Sequence, residues 1–233
     1  MAKVFDTWTV LPHKSLEKLT DNLWRVEGTM PDGKTQRVMT LARLRDGRIV
    51  VHNGIALEES LMKEIEAWGT PAFIAVPNGF HRQDARIYKQ RYPNAKVVAP
   101  RGSAKKVGEV VTVDGTYDDV PKDDDVRLAH LDGCKEVEGM IEVRSKDGAT
   151  LVFNDVLCNM PRVGGVIGFM LSPTGTVSVP RVMRWLAVKN KAAFKANLAR
   201  LATTPDLKRI IVAHGGMIGA APSQVLETAA AAL

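Results

Sequence analysis

Three histidines, an aspartate and a cysteine stand just behind apolar runs of this chain, and those residue types can hold a metal ion or move a proton. His52 ends "RIVVH", and His81 follows "FIAV" and a Pro-Asn-Gly turn within "AVPNGFHRQD". Asp155 ends "TLVFND", His214 ends "RIIVAH", and Cys134 follows "VRLAHLDG". In α/β architectures, sites form outside the carboxyl ends of strands, where the scaffold is rigid and the loops vary freely. Two neutral imidazoles and a carboxylate meeting on one rim would make a three-ligand metal set with a coordination position left for water.

Each residue also has a plainer reading. His81 could occupy the first turn of a helix, and Asp155 could be an ordinary turn or cap residue. His214 precedes Gly215-Gly216, which suggests a sharp turn or a close approach of backbone to something else. His13 lies in an irregular stretch and reads as surface. His130 shares a strand face with Asp132 and reads as a satisfied sheet histidine.

The elements that must position these groups follow from hydrophobic period and punctuation. "LWRVEGTM" reads as a strand, and "RVMTLARL" and "RIVVH" flank an Asp46-Gly47 turn as a hairpin. "LEESLMKEIEAWG" has apolar residues at helical spacing and a glycine stop. "PAFIAV" is a short buried strand, "HRQDARIYKQRYP" a helix closed by Pro93, and "AKVVAP" another strand. "VRLAHL" and "EGMIEVRS" read as strands, with Asp147-Gly148 turning the latter back into "ATLVFND". Residues 180–203 are helical with a break near Asn190, "LKRIIVAHGG" is a buried strand, and "SQVLETAAAAL" is a final helix. Hairpins mixed with strand–helix–strand units predict a mixed sheet, or two sheets, with helices outside. No glycine-rich phosphate loop follows an early strand, so dinucleotide binding is not predicted.

Composition narrows the class. At 233 residues the chain can build one large domain or two small ones, and 45% hydrophobic with 25% charged residues is ordinary soluble-globular composition. The net charge of +6 is spread along the chain and interrupted by "PKDDDV", with no RNA-binding aromatic signature, basic helix or zinc finger. Nucleic acid is therefore not an expected partner. Two cysteines, Cys134 and Cys158, do not make a disulfide framework. No signal peptide is evident, and the longest apolar stretch, "VGGVIGFML", is about half of what a bilayer crossing needs. A cytoplasmic protein without a membrane segment is the default expectation.

Taken in order, these pieces resemble the metallo-β-lactamase superfamily, and more narrowly a bacterial branch of it with a degenerate metal-binding motif. Its hydrophobic-Asp-x-Gly turn corresponds to "VVHNG", with His52 in place of Asp. Its His-x-His-x-Asp-His motif falls on Val76 to His81, where only the last histidine survives and Phe80 replaces the aspartate. Gly133-Cys134-Lys135 stands for its Gly-His-Thr turn, "LVFND" for its "LxxGD" strand end, and "IIVAHGG" for its closing Gly-His-Gly turn.

The resemblance runs from about Leu23 to the C-terminus. It implies a single α/β (α+β) domain over residues 1–233. The fold would be a four-layer αβ/βα sandwich, two mixed sheets flanked by helices, with the site at one edge between them. Of the residues matching the first metal's three histidines, Val76, Asn78 and Cys134, only Cys134 can bind an ion. For the second metal, His81, Asp155 and His214 can bind.

Two functions follow as expectations. One is a mononuclear metal-dependent hydrolase of unidentified small-molecule substrate, holding one divalent ion, zinc first and iron second. In it, Asn78 donates to a developing oxyanion, Cys134 is a fourth ligand or a buried thiol, and His52 orients a ligand. The other is a catalytically inactive relative without metal, serving as a binding or interaction module, with His81 and His214 as hydrogen-bonded remnants. An oligomer is compatible with either.

Overall fold

Strands buried on both faces dictate the architecture. The computed structural model describes residues 4–233. In the first sheet, β1 (Glu17–Lys18), β2 (Leu23–Thr29), β3 (Gln36–Arg43) and β4 (Arg48–His52) pair antiparallel. β5 (Thr70–Ala75), β6 (Lys96–Ala99) and β7 (Gly115–Thr116) continue it in parallel, in the order β1 to β7. In the second sheet, β8 (Val126–His130), β9 (Gly139–Ser145) and β10 (Gly148–Val152) are antiparallel, and β11 (Leu207–Ile211) lies parallel to β10. Both expected hairpins form. The first turns at Gly47, whose φ of +86° is the left-handed conformation that glycine adopts without strain.

Side chains alternate between layers with period two. On β4, Ile49 and Val51 face α1 (Glu59–Trp68) and α2 (Ala85–Arg91), packing with Met62, Ile65 and Tyr88. Val50 points the other way, into a central layer shared with Ile141, Val143, Val152 and Ile211 of the second sheet. On that sheet's far side, Leu151, Phe153, Ile210 and Val212 meet α6 (Lys191–Ala202) and α7 (Pro222–Ala231) through Phe194, Leu198 and Leu226. Three apolar layers between four layers of elements make the αβ/βα sandwich that the resemblance implied.

Three helical details bear on the site. The helix expected to start at His81 starts at Ala85, because residues 81–84 form a turn drawn back toward the sheet. The 180–203 helix breaks as expected, into α5 (Arg181–Leu186) and α6, where Asn190 Oδ1 accepts from Ala193 N at 3.0 Å and caps the second piece. The "VGGVIGFML" stretch contains a short helix, α4 (Gly165–Leu171), most of whose apolar side chains face solvent. Among the described residues no helix is long and apolar enough to cross a membrane.

Candidate metal centre

Three strand ends deliver the three candidate donors. Beyond β5, the Asn78 Oδ1 accepts the backbone N–H groups of Phe80 (2.8 Å) and His81 (3.0 Å), an Asx turn that aims the His81 ring back over the sheet edge. Beyond β10, the buried Glu138 carboxyl accepts from Asp155 N (3.3 Å) and Val156 N (2.8 Å), which fixes the loop carrying Asp155. Beyond β11, His214 precedes Gly215 at φ +104°; a Cβ there would run into the Asn159 carbonyl, so only glycine permits the turn.

The donor atoms form a nearly equilateral triangle. His81 Nε2 lies 3.0 Å from Asp155 Oδ1 and 3.1 Å from His214 Nε2, and His214 Nε2 lies 3.1 Å from Asp155 Oδ1. The remaining atoms of each ring decide the proton positions. Asn53 Nδ2 donates to Val38 O at 2.8 Å, so its Oδ1 faces His81 Nδ1 at 3.1 Å and makes that nitrogen the N–H donor. His214 Nδ1 donates to the Gln36 carbonyl at 2.6 Å. In the neutral rings both Nε2 lone pairs therefore point at one another and at a carboxylate oxygen. Three electron-pair donors about 3 Å apart with no proton among them repel unless a positive charge sits between them, and two imidazoles with a carboxylate are a donor set suited to a divalent transition metal. The residues present fit such an ion.

The same contacts shift the titration of these groups. Burial acts to raise the Asp155 carboxyl, but the neighbouring His81 and His214 outweigh it and hold Asp155 well below the usual carboxylate range. Burial acts to lower His214, and its hydrogen bond and charge interaction with Asp155 more than reverse this, so the ring sits above its ordinary value. Burial, reinforced by the Asp155 charge, pushes Glu138 well up.

Two sequence expectations need correction, on Asn78 and His52, and of the two readings of Cys134 the structure favours the buried thiol. Cys134 lies outside the His81–Asp155–His214 group, whose donor atoms all fall within 4.8 Å of one another. Its thiol is packed in the second sheet's outer core, and burial pushes it up to about 12, so it stays protonated. Asn78 is not free to meet an oxyanion, because its Nδ2 already donates to Glu138 Oε1 (2.5 Å) and Asp155 Oδ2 (2.8 Å). His52 makes no hydrogen bond to a ligand: among the described residues neither ring nitrogen has a partner, and the neighbouring Asn53 contacts His81 instead.

Sequence reading missed Asn53, Glu138 and Cys158, whose Sγ lies 3.5 Å from the Asp155 carbonyl. Asn53 left one signal, an Asn-Gly pair at a strand end, and its φ of +54° is a conformation that asparagine tolerates. Val76, at another position where the resemblance places a ligand, is buried in the first sheet's outer core. Among the described residues no second group of three histidine, cysteine or acidic donors converges.

The triad opens into a cavity of about 380 Å³, walled otherwise by side chains such as Phe80, Met160, Val182 and Met183. Comparison with solved structures identifies the fold. The DIM-1 metallo-β-lactamase superposes with a TM-score of 0.63 at 13% identity, covering 96% of this chain and 99% of that one. A metallo-β-lactamase from Pontibacter korlensis gives 0.63 at 10% identity over 95% and 100% of the two chains. One from Hirschia baltica gives 0.61 at 14% over 94% and 97%. No family model matches the sequence, and no curated protein matches it significantly.

Proposed function

We propose that this chain, which has the metallo-β-lactamase fold, is a mononuclear metal-dependent hydrolase acting on a small molecule. The observation that carries the reading is the triangle of His81 Nε2, Asp155 Oδ1 and His214 Nε2 with edges of 3.0, 3.1 and 3.1 Å, both imidazoles turned by their Nδ1–H bonds to present lone pairs inward. A divalent ion held there, zinc first and ferrous iron second, would lower the pKa of a bound water from 15.7 to about 7 and polarise the bond under attack.

The chain's own residues do the rest. Asn53 and the Gln36 carbonyl hold the ring tautomers, Asn78 occupies Asp155 Oδ2 so that Oδ1 faces inward, and Met160, Val182 and Met183 give the cavity apolar walls.

The test is metal content by elemental analysis of protein purified without an affinity-tag metal. The expected result is one ion per chain, lost in the Asp155→Ala, His214→Ala double variant, with Asn53→Ala weakening affinity about 10–100-fold as outer partners of ligating histidines do. Protein that neither carries nor takes up an ion ends the reading.

One observation favours the inactive alternative. Phe80 carries a phenyl ring where the resemblance places an aspartate, and His214, raised by Asp155, could satisfy the triad as an imidazolium. In that case zinc titration leaves the protein unchanged.

A further inference from the structure

The cavity holding the triad lacks something that most small polar metabolites would require. Among the described residues no lysine or arginine lines it; its polar walls are Thr35, Cys158 and the three candidate donors. A second cavity of about 360 Å³ adjoins it, sharing Phe80, Met183 and Leu186 as common walls. That one does contain two cations, Arg82 and Lys106, but both are paired with Glu109, at 2.8 and 2.9 Å, and the Arg82 side chain is buried. Glu138 and Asn78, also on its wall, are engaged with Asp155.

A carboxylate or phosphate seated at the triad would therefore leave water for a cavity with no lysine or arginine on its wall, and desolvating a charge unpaired is expensive. An apolar chain meets the opposite situation. Phe80 (57% exposed) and Leu186 (48% exposed) stand at the common wall with much of their apolar surface in water, although ordinary packing would bury it. Beside them, α4 lines the triad cavity with Leu171 and shows Val166, Ile167 and Phe169 to solvent.

We propose that the site takes neutral substrates bearing an apolar chain, with the reacting group at the triad and the chain running past Phe80, along Met183 and Leu186, into the adjoining cavity. The assignment of the reacting group rests on the metal-centre reading above; the binding of the chain does not.

The test uses the full chain without added metal. Straight-chain primary alcohols from butanol to dodecanol compete for the neutral fluorophore phenylnaphthylamine, with decanoate as the charged comparison. Affinity is expected to rise about three- to fourfold per methylene, from about 0.8 kcal/mol per buried CH₂, until the chain fills the groove. Decanoate should bind at least tenfold more weakly than decanol. Leu186→Glu and, independently, Phe80→Ser should each reduce decanol affinity, whereas Val166→Glu, outside both cavities, should not. Affinity independent of chain length, decanoate binding as tightly as decanol, or Val166→Glu weakening decanol as much as Leu186→Glu would each overturn the proposal. Zinc uptake measured on the same protein separates the two readings. Length-dependent alcohol binding without zinc binding ends only the hydrolase assignment, and zinc binding with indifferent alcohol affinity ends only this one.

Discussion

His52 is the residue whose environment makes the sharpest demand. It shares the parity of Val50, so its ring faces the layer between the sheets, is buried, and among the described residues has no hydrogen-bond partner for either nitrogen. Burial, with a smaller contribution from His81, pulls it down to about 3 from the ordinary 6.5. The unfolded chain therefore binds a proton between pH 6.5 and 3 that the folded chain refuses, and stability present above pH 6.5 is lost as pH falls through that window. Two pH units below 6.5 correspond to about 2–3 kcal/mol. His52→Phe removes the titration and both unpaired nitrogens. Urea unfolding should show the wild type losing about 2–3 kcal/mol more than the variant between pH 7.5 and 4.5. Equal losses would mean that the ring is already hydrogen-bonded in solution.

The same residue shows how far sequence carries at this scale. His81, Asp155 and His214 were legible because each follows an apolar run, and the structure brings all three together. His52 follows such a run too, and strand parity puts it on the face of Val50, in the layer between the sheets, where it makes no hydrogen bond to the three donors. Asn53 and Glu138 were not legible as partners of the site. Their contacts span 28 residues to His81 and 17 to Asp155, distances that only the fold closes.

At the scale of elements, an ion pair ties the first sheet to the loop that carries His81. Arg37 on β3 and Asp84, three residues beyond His81 and at the start of α2, are both about 1% exposed in their side chains and bonded to one another. Asp84 Oδ1 also accepts from Ala56 N at 3.2 Å. Asp84→Asn keeps the shape but leaves a buried guanidinium without its counter-charge, at a cost of about 3–5 kcal/mol. A fall of that size in unfolding free energy is the expected result; a change under 1 kcal/mol would show that water reaches the pair.

Helix boundaries fared unevenly in the sequence for a related reason. The break at Asn190 was readable because the cap is local, four residues or fewer. The delayed start of α2 was not, because Asp84 at the end of the 81–84 turn is held by Arg37 on a strand 47 residues away. The exposed apolar face of α4 was equally hidden, since a hydrophobic run announces burial and not where its surface goes.

At the scale of the molecule, hairpins mixed with strand–helix–strand units made a mixed sheet or two sheets with outer helices legible. The four-layer sandwich came from the resemblance, because strands buried on both faces read as continuous apolar runs that do not say which layer each side chain enters. The two sheets come from successive halves of the chain: β1 to β7 with α1, α2 and α3 (Ala104–Val107) lie before residue 121, and β8 to β11 with the remaining helices lie after 125. The joining segment "PKDDD" sits at the surface, where Asp124 and Asp125 pair with Arg45 of the first half.

That division splits the donors as well, one on the first half and two on the second. Severing the backbone between Pro121 and Lys122 would yield two fragments, neither able to chelate an ion with all three groups. Mixed together, they should regain it only on docking sheet to sheet, so equilibrium dialysis of zinc against each fragment and against the mixture would register reassembly. Uptake by the C-terminal fragment alone, equal to that of the mixture, would show that His81 is dispensable. The chain is in this sense a lock cut across its own keyhole, and metal occupancy would serve as a gauge of whether the halves have met.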